Sequence, residues 1–490
     1  MDVIVETRYG RVLGREEDGV RAFLGVPYAR PPQGERRFLP PEPVEPWADV
    51  LDARAHGPIC PQVANPLNPV DGFVQSEDCL RLNIYAPAEG TGHPVMVWIH
   101  GGAFVFGSGQ SPWYDGHAFA KDGVVLVSIN YRLGPLGFLH LAHLGGEAYA
   151  SSGNAGILDQ IAALTFVRDT IEAFGGDPNR VTVAGESAGA WSVGTLLVTE
   201  SARGLFQQAI LQSGIPFAYR TPEFAEWWTT QLLDALGINQ ASWRRLLDVP
   251  AADLVAAAAR IPARDGLNLR PVLDGVTLTR SFWDALREGQ AAHVPTLAGS
   301  NREELMLWMA RDPEWRTLSD EERIARVDRM WGPLGDRARD YYVDGRQGEE
   351  LAAWLVRFAS MRSFTYPTIR AAEIQSEYAP VYLYRFDYRP SQLGAAHALE
   401  IPFVFGTYAH PSARVLVGDR PSHAVVSEAM HAAWVAFVHH GSPQAPHLPE
   451  WPTYDPKRRS TMIFDETSRV EEDPDTAERE LWSEMMSLSM

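Results

Sequence analysis

Apolar residues along the chain fall into two kinds of pattern. Residues 95–99 form a short unbroken apolar run and residues 124–129 one interrupted only by Ser128, both bounded by turn residues. Runs of this length predict strands buried on both faces, as in parallel sheets. Ile161, Leu164, Val167, Ile171 and Phe174 instead recur at helical spacing, and Gly175-Gly176 predicts the end of that helix. A short strand is predicted at 181–184, with a helix at 188–198 directly after it. Further strands are predicted at 80–85, 208–212, 296–299 and 381–386, and three short ones at 3–6, 11–14 and 20–24. Strands alternating with helices place the chain in the α/β class, with a mostly parallel sheet covered on both faces. Two segments break the alternation. Residues 220–292 and 305–375 are rich in Ala, Leu, Trp and Arg, and are expected to be helical insertions over one end of the sheet. Residues 27–46 read as a proline-rich surface connection, and the last 20 residues as a charged surface helix. With no internal repeat in view, residues 1–490 are expected to form one domain.

Composition narrows the partners. The chain has 490 residues, 45% of them hydrophobic, which is ample for a large core. Its 43 basic residues face 62 acidic ones, a net charge of −19. Such a surface repels phosphate backbones, so no nucleic-acid partner is expected. No stretch of about 18 uncharged apolar residues is present, so no spanning helix and no membrane partner are expected. The start of the chain lacks a basic segment followed by a long apolar run, which predicts a cytoplasmic protein. A monomer or small homo-oligomer is expected. Cys60 and Cys79 are the only cysteines, and two thiols do not make a four-ligand zinc site; no metal is expected.

The chemistry centres on Gly185-Glu186-Ser187-Ala188-Gly189, a Gly-x-Ser-x-Gly sequence between the predicted strand and helix. The five-residue pattern alone is common, and its flanking elements are what give it meaning. A serine on a tight strand-to-helix turn is pushed out at the top of a sheet, and Gly185 and Gly189 give strand and helix room to approach. A serine hydroxyl is a weak nucleophile and needs a base, which in turn needs an orienting acid. On this kind of turn the chain order is Ser, acid, His. Among fourteen histidines, His397 follows the predicted 381–386 strand on a loop of small residues; His410, His423, His431, His439 and His440 compete with it. Glu303 and Glu304 follow the 296–299 strand. Adjacent side chains diverge, so one of them at most orients the histidine, and the residues alone leave open which. His100-Gly101-Gly102-Ala103-Phe104 follows the 95–99 strand, and its glycines free backbone N–H groups to face a ligand. Together with the N–H after the serine, this points to Gly102, Ala103 and Ala188 as oxyanion donors.

These residues resemble the type-B carboxylesterase family, which includes cholinesterases and bacterial p-nitrobenzyl-type esterases. The resemblance runs from about Gly10 to Phe464. It includes Phe23-Leu24-Gly25-Val26-Pro27-Tyr28-Ala29, Ser76-Glu77-Asp78-Cys79-Leu80-Arg81-Leu82-Asn83-Ile84-Tyr85, Asn130-Tyr131-Arg132-Leu133-Gly134, Gly153-Asn154-Ala155-Gly156-Ile157-Leu158-Asp159-Gln160 and Phe174-Gly175-Gly176-Asp177-Pro178. It implies the α/β-hydrolase fold, Ser187 as nucleophile, His397 as base and Glu304 as orienting acid. It also implies supporting roles for Ser213 and Glu400, structural pairs of Arg37 with Glu77 and Arg132 with Asp159, and a possible disulfide between Cys60 and Cys79, which bacterial members leave reduced in some cases. The segment between the cysteines has Phe73 as its only aromatic residue and no tryptophan to hold a quaternary ammonium, which speaks against choline esters. Trp191 stands where relatives usually carry a smaller residue; it either narrows the pocket or packs between helix and sheet. Phe104, Phe106 and Phe217 are the other pocket candidates, and an aromatic wall suits uncharged, fairly apolar esters.

The expected activity is therefore hydrolysis of short- to medium-chain uncharged carboxylic esters through an acyl-enzyme, with a small-molecule ester as substrate and no cofactor. An acyltransferase using an alcohol acceptor, a long-chain lipase, and a non-catalytic binding or adhesion protein on the same scaffold are the rivals.

Overall fold

A computed structural model of the protein describes residues 1–64, 72–264, 266–312, 314–315, 317–331, 341–342 and 350–487. Its strands in chain order are β1 (Asp2–Thr7), β2 (Gly10–Glu17), β3 (Val20–Pro27), β4 (Leu51–Asp52), β5 (Arg81–Pro87), β6 (His93–Ile99), β7 (Val125–Ile129), β8 (Gly176–Glu186), β9 (Gln208–Gln212), β10 (Thr296–Asn301), β11 (Val381–Phe386), β12 (Ser460–Phe464) and β13 (Arg469–Glu472). Backbone contacts divide the chain into two units, Met1–Leu211 with Pro216–Val294, and Gln212–Ile215 with Pro295–Met490.

In the first unit β1, β2, β3, β5 and β7 follow one another as antiparallel neighbours. From there the order is β7-β6-β8-β9, and β6 runs parallel to both β7 and β8. β7 is buried along its whole length, Ser128 included, and β6 from its second residue on, as expected of strands covered on both faces. The register sets Ile99 opposite Gly185. The loops that leave β6 and β8 therefore emerge side by side, and these are the His100 loop and the Ser187 turn. The predicted 161–174 helix is Ala155–Thr170 continued by a 3-10 turn, Ile171–Phe174. Gly175 ends it at φ +87°, a left-handed conformation that glycine adopts without steric penalty.

In the second unit β10, β11 and β12 are parallel neighbours, and β13 closes the edge antiparallel to β12. Asn301 lies opposite Phe386, so the chain leaves β10 toward Glu304 beside the point where it leaves β11 toward His397. Helices Leu351–Ser360, Tyr366–Gln375, His423–His440 and Thr476–Ser487 belong to this unit. Tyr342, Leu355, Phe358 and Trp482 form part of its core.

Several elements differ from the sequence expectation. Helices occupy parts of 220–292, at Pro222–Ala235, Ala251–Ala259 and Phe282–Arg287, with a 3-10 helix at Gln240–Leu247. Proline and glycine break the stretch after 260. There the Asp274 carboxylate accepts the backbone N–H groups of Val276, Thr277 and Leu278 at 2.9, 2.8 and 3.0 Å, a local arrangement that competes with helix. Within 305–375 the described helices are Met306–Met309, Asp320–Trp331, Leu351–Ser360 and Tyr366–Gln375, the last two joined by a π-helical turn at Met361–Thr365; residues 313, 316, 332–340 and 343–349 lie outside the described residues. β12, β13 and the His423–His440 helix were not expected from the pattern. Among the described residues, no helix is long and apolar enough to cross a membrane.

Candidate active site

Ser187 sits between β8 and the helix Ala188–Leu197 with φ 56° and ψ −121°. A non-glycine residue at such angles is strained by about 1–3 kcal/mol, and strain of this kind collects at functional positions. The flanking glycines are there for space. A Cβ on Gly189 would lie 2.0 Å from the Ile99 carbonyl oxygen, and one on Gly185 would lie 2.5 Å from the Gly189 carbonyl carbon. The helix then begins at Ala188, whose N–H is one of the donors that a helix N-terminus leaves without an intrahelical acceptor.

The loop after β6 lies against this turn. A Cβ on Gly101 would be 3.1 Å from Ser187 Cβ and 2.7 Å from Glu186 Oε2. Gly102, Ala103 and Phe104 all have positive φ, 109°, 55° and 63°. Gly102 tolerates no side chain, since a Cβ would meet the Phe106 carbonyl oxygen at 1.9 Å. Its own carbonyl accepts the N–H groups of Val105 and Phe106, both at 3.0 Å. His100 braces the loop, a role that the sequence motif alone did not disclose. Its Nδ1 is 2.7 Å from the Gly101 carbonyl oxygen, its ring stacks on Tyr131 at 4.6 Å, and the Tyr131 hydroxyl donates to the His100 carbonyl at 3.0 Å. Burial pushes the His100 pKa down to about 4, so the ring is neutral near pH 7 and Nδ1–H is the donor.

Of the pocket candidates, Trp191 is 7% exposed. Its ring meets Phe104 edge-on at 6.2 Å and Phe217 at 4.8 Å. Phe104 is fully buried, Phe106 is half-buried and Phe217 is 41% exposed. Trp191 thus bridges the core and the solvent-facing Phe217.

In the second unit, Glu304 Oε2 lies 2.6 Å from His397 Nδ1, and both side chains are buried. Glu304 Oε1 accepts the Asn301 N–H at 2.7 Å. Trp308 and Phe364 flank the imidazole, each with its ring centroid 4.9 Å away. Glu303 points elsewhere. It pairs with the Arg389 guanidinium and accepts the Ala395 N–H at 2.8 Å, fastening the loop that carries His397. Glu400 is fully buried and accepts from Gln212 Nε2 at 3.0 Å and Asn301 Nδ2 at 2.6 Å. Burial first, then the neighbouring Glu304, raise its pKa. Ser213 is buried at φ 52° with its N–H bonded to the Gly299 carbonyl at 2.9 Å. Its hydroxyl has no hydrogen-bond partner among the described residues, Glu304 and His397 included.

The competing histidines have other settings. His410 caps a helix through Ser412, His431 bonds the Val404 carbonyl, and the His439 and His440 rings lie tilted to each other with centroids 5.6 Å apart. Arg37 pairs with Glu77 at 2.7 Å and 2.5 Å, and Arg132 with Asp159 at 2.8 Å and 2.7 Å. Cys60 and Cys79 are buried, unbonded thiols. A hydrogen bond to Cys60, then burial, push the Cys79 thiol up. Among the described residues no group of three His, Cys, Asp or Glu is placed to hold a metal ion.

The profile of the Carboxylesterase family matches residues 1–482. The chain belongs to the carboxylesterase family. It is 41% identical to the para-nitrobenzyl esterase of Bacillus subtilis, over 97% of this chain and 98% of that one. It is 36% identical to a fumonisin B1 esterase of Sphingopyxis macrogoltabida, over 94% of this chain and 86% of that one. The crystal structure of a Geobacillus stearothermophilus carboxylesterase at pH 6.2 superposes with a TM-score of 0.91 at 45% identity, covering 98% of this chain and 99% of its own. This carboxylesterase therefore has the α/β-hydrolase fold and is a carboxylic ester hydrolase, and the binding-protein and acyltransferase readings are not favoured.

Proposed function

We propose that this carboxylic ester hydrolase uses Ser187 as its nucleophile, His397 as its general base and Glu304 as the acid that orients the histidine, on short- to medium-chain, uncharged carboxylic esters. The observation that carries the reading is the strained Ser187 on its glycine-flanked turn, with the Gly101 loop packed against it. The 2.6 Å contact between Glu304 and His397 Nδ1 supports the remaining roles, because it leaves Nε2 as the basic nitrogen. Ser187 Oγ attacks the ester carbonyl while His397 takes its proton. The N–H groups of Gly102, Ala103 and Ala188 receive the developing oxyanion. The imidazolium then protonates the departing alcohol, and water releases the acid from the acyl-enzyme by the same steps. Because the proposed roles fall in both units, we treat the chain as one catalytic domain, with Ser213 and Glu400 in support and Phe104, Phe106, Trp191 and Phe217 lining the acyl or alcohol pocket. Two buried unbonded thiols suit a reducing compartment, which supports a cytoplasmic location. A monomer or small homo-oligomer is our proposal for its assembly.

The test is hydrolysis of p-nitrophenyl esters from C2 to C12 by wild type and Ser187→Ala side by side. Turnover peaking at short to medium chains and falling by about 10³ or more in the variant is expected. A loss below tenfold in a clean preparation would remove Ser187 from the mechanism.

A further inference from the structure

We propose that Gln62 is a positioning residue for the oxyanion hole: its side-chain amide locks the far end of the loop that carries Gly102 and Ala103, and so holds their N–H groups on the developing oxyanion. The proposal rests on the oxyanion reading above and extends it to a side chain outside the glycine loop.

The loop leaves β6 at His100 and runs to Gly107. Its middle is strained, because Gly102, Ala103 and Phe104 take positive φ in succession. Ala103 and Phe104 carry a Cβ, and such conformations persist only where the surroundings enforce them. Part of the hold comes from nearby backbone. The Gly102 carbonyl accepts from Val105 and Phe106, and the Phe104 carbonyl accepts the Gly134 N–H at 2.7 Å. His100 braces the entry of the loop. Its exit falls to Gln62.

Gln62 is buried and meets both backbone groups of Gly107. Its Oε1 accepts the Gly107 N–H at 2.7 Å, and its Nε2 donates to the Gly107 carbonyl at 2.9 Å. Nε2 also donates to the Cys60 carbonyl, at 3.0 Å. A side-chain amide carries the acceptor and the two donors that these three bonds need, whereas a carboxylate has no donor. The amide thus does for Gly107 what a neighbouring antiparallel strand does for a residue that exchanges both of its bonds.

Gln62 is itself anchored. Its N–H donates to Gln75 Oε1 at 2.9 Å. Two residues earlier, Ile59 donates its N–H to the Val74 carbonyl at 2.9 Å and accepts that of Ser76 at 3.0 Å. Between them, Cys60 Sγ accepts the Leu133 N–H at 3.2 Å. A side chain supported in this way holds its target in one geometry.

Gly107 passes the hold on by contact. A Cβ there would lie 2.4 Å from both the Gly101 carbonyl oxygen and His100 Nδ1. Gly107 is therefore seated against the pair that braces the loop entry, and Gly101 is seated in turn against Ser187. Without the Gln62 amide, the buried N–H and carbonyl of Gly107 would lose their partners and the backbone would shift to find others. A displacement of about 1 Å at a catalytic group is enough to cost about 10²-fold in rate. The loss falls on the transition state, because the ground-state ester carries no anion for these donors to hold.

The experiment compares wild type, Gln62→Met and Gln62→Asn on p-nitrophenyl butyrate, with Tm as the check on folding and two inhibitors as probes: an alkyl trifluoromethyl ketone and the same ketone without fluorine. Ser187 Oγ adds to the carbonyl carbon of the fluorinated ketone, its proton passes to the general base, and the carbonyl π pair becomes an alkoxide in the oxyanion hole. The plain ketone stays trigonal. In folded Gln62→Met, kcat is expected to fall about ten- to hundredfold with KM within about threefold of wild type. The Ki of the trifluoromethyl ketone should rise at least about tenfold, and that of the plain ketone should stay within about threefold. Should Gln62→Met not fold, Gln62→Asn decides on the same criteria, since it keeps the amide and draws it back from Gly107 by one methylene. A kcat within about threefold of wild type in the deciding variant, or equal weakening of both ketones, would overturn the positioning role. Failure of both variants to fold would also overturn it and make Gln62 a folding residue. A wild type that hydrolyses the ester yet binds the fluorinated ketone no tighter than the plain one would instead strike the oxyanion reading itself, and the proposal with it.

Discussion

Glu304 and His397, ninety-three residues apart, meet carboxylate to imidazole at 2.6 Å, while the adjacent Glu303 faces Arg389 and the Ala395 N–H. The expected consequence is a sharp asymmetry between neighbours. Glu304→Gln should lower kcat by about 10²–10⁴, since an amide no longer stabilises the imidazolium. Glu303→Gln should lower Tm and leave kcat within about tenfold, because it weakens the fastening of the His397 loop and removes no reacting group. Equal kcat losses in the two variants would contradict the assignment.

The base must be neutral to accept the Ser187 proton. Activity is expected to fall as pH drops from 8 to 5 and the imidazole takes up a proton. His100, held down to about 4 by burial, stays neutral across that range and adds no second step. A kcat/KM profile that is flat from pH 5 to 8 would exclude a histidine base.

His100 has a separate effect on stability. Its pKa is about 4 in the folded protein, against about 6.5 when unfolded. The unfolded chain therefore gains a proton first as pH falls, so the stability present above pH 6.5 is progressively lost toward pH 4. Tm measured from pH 7 to 4 should decline less steeply in His100→Gln than in wild type; parallel curves would show that His100 contributes nothing.

Trp191 joins the buried Phe104 to the exposed Phe217. Trp191→Leu should move the p-nitrophenyl ester optimum to longer chains by opening that wall, at a stability cost of about 1–3 kcal/mol. A lower Tm with an unmoved chain-length profile would mean that Trp191 only packs between helix and sheet.

Gly189 leaves no room for a Cβ, which would lie 2.0 Å from the Ile99 carbonyl oxygen. The obstacle is backbone and does not rotate away. Gly189→Ala should therefore give little folded protein, read as soluble yield and near-UV circular dichroism. Wild-type Tm and kcat in this variant would mean that strand and helix are not held as close as described.

The sequence by itself determined whatever depends on neighbours along the chain. Apolar periodicity located β6, β7, β8 and the helices that follow, because burial on one or two faces leaves a repeat that is visible locally. Spacing around Ser187 marked the turn, since only glycine-sized residues let a strand and a helix cross so closely. The same logic failed for β12, whose Ser460 and Thr461 look polar yet are buried in the sheet, and for the irregular stretch around Asp274, where one carboxylate captures three N–H groups. Tertiary structure alone decided the choices that depend on distant partners. Local pattern leaves Glu303 and Glu304 equivalent; the family resemblance points to Glu304, and the packing of the His397 loop sets Glu304 on the imidazole and turns Glu303 to Arg389. His100 reads as part of a glycine turn until Tyr131 and the Gly101 carbonyl enclose it. Side-chain direction and long-range register are set by the packed whole, and no local pattern encodes them.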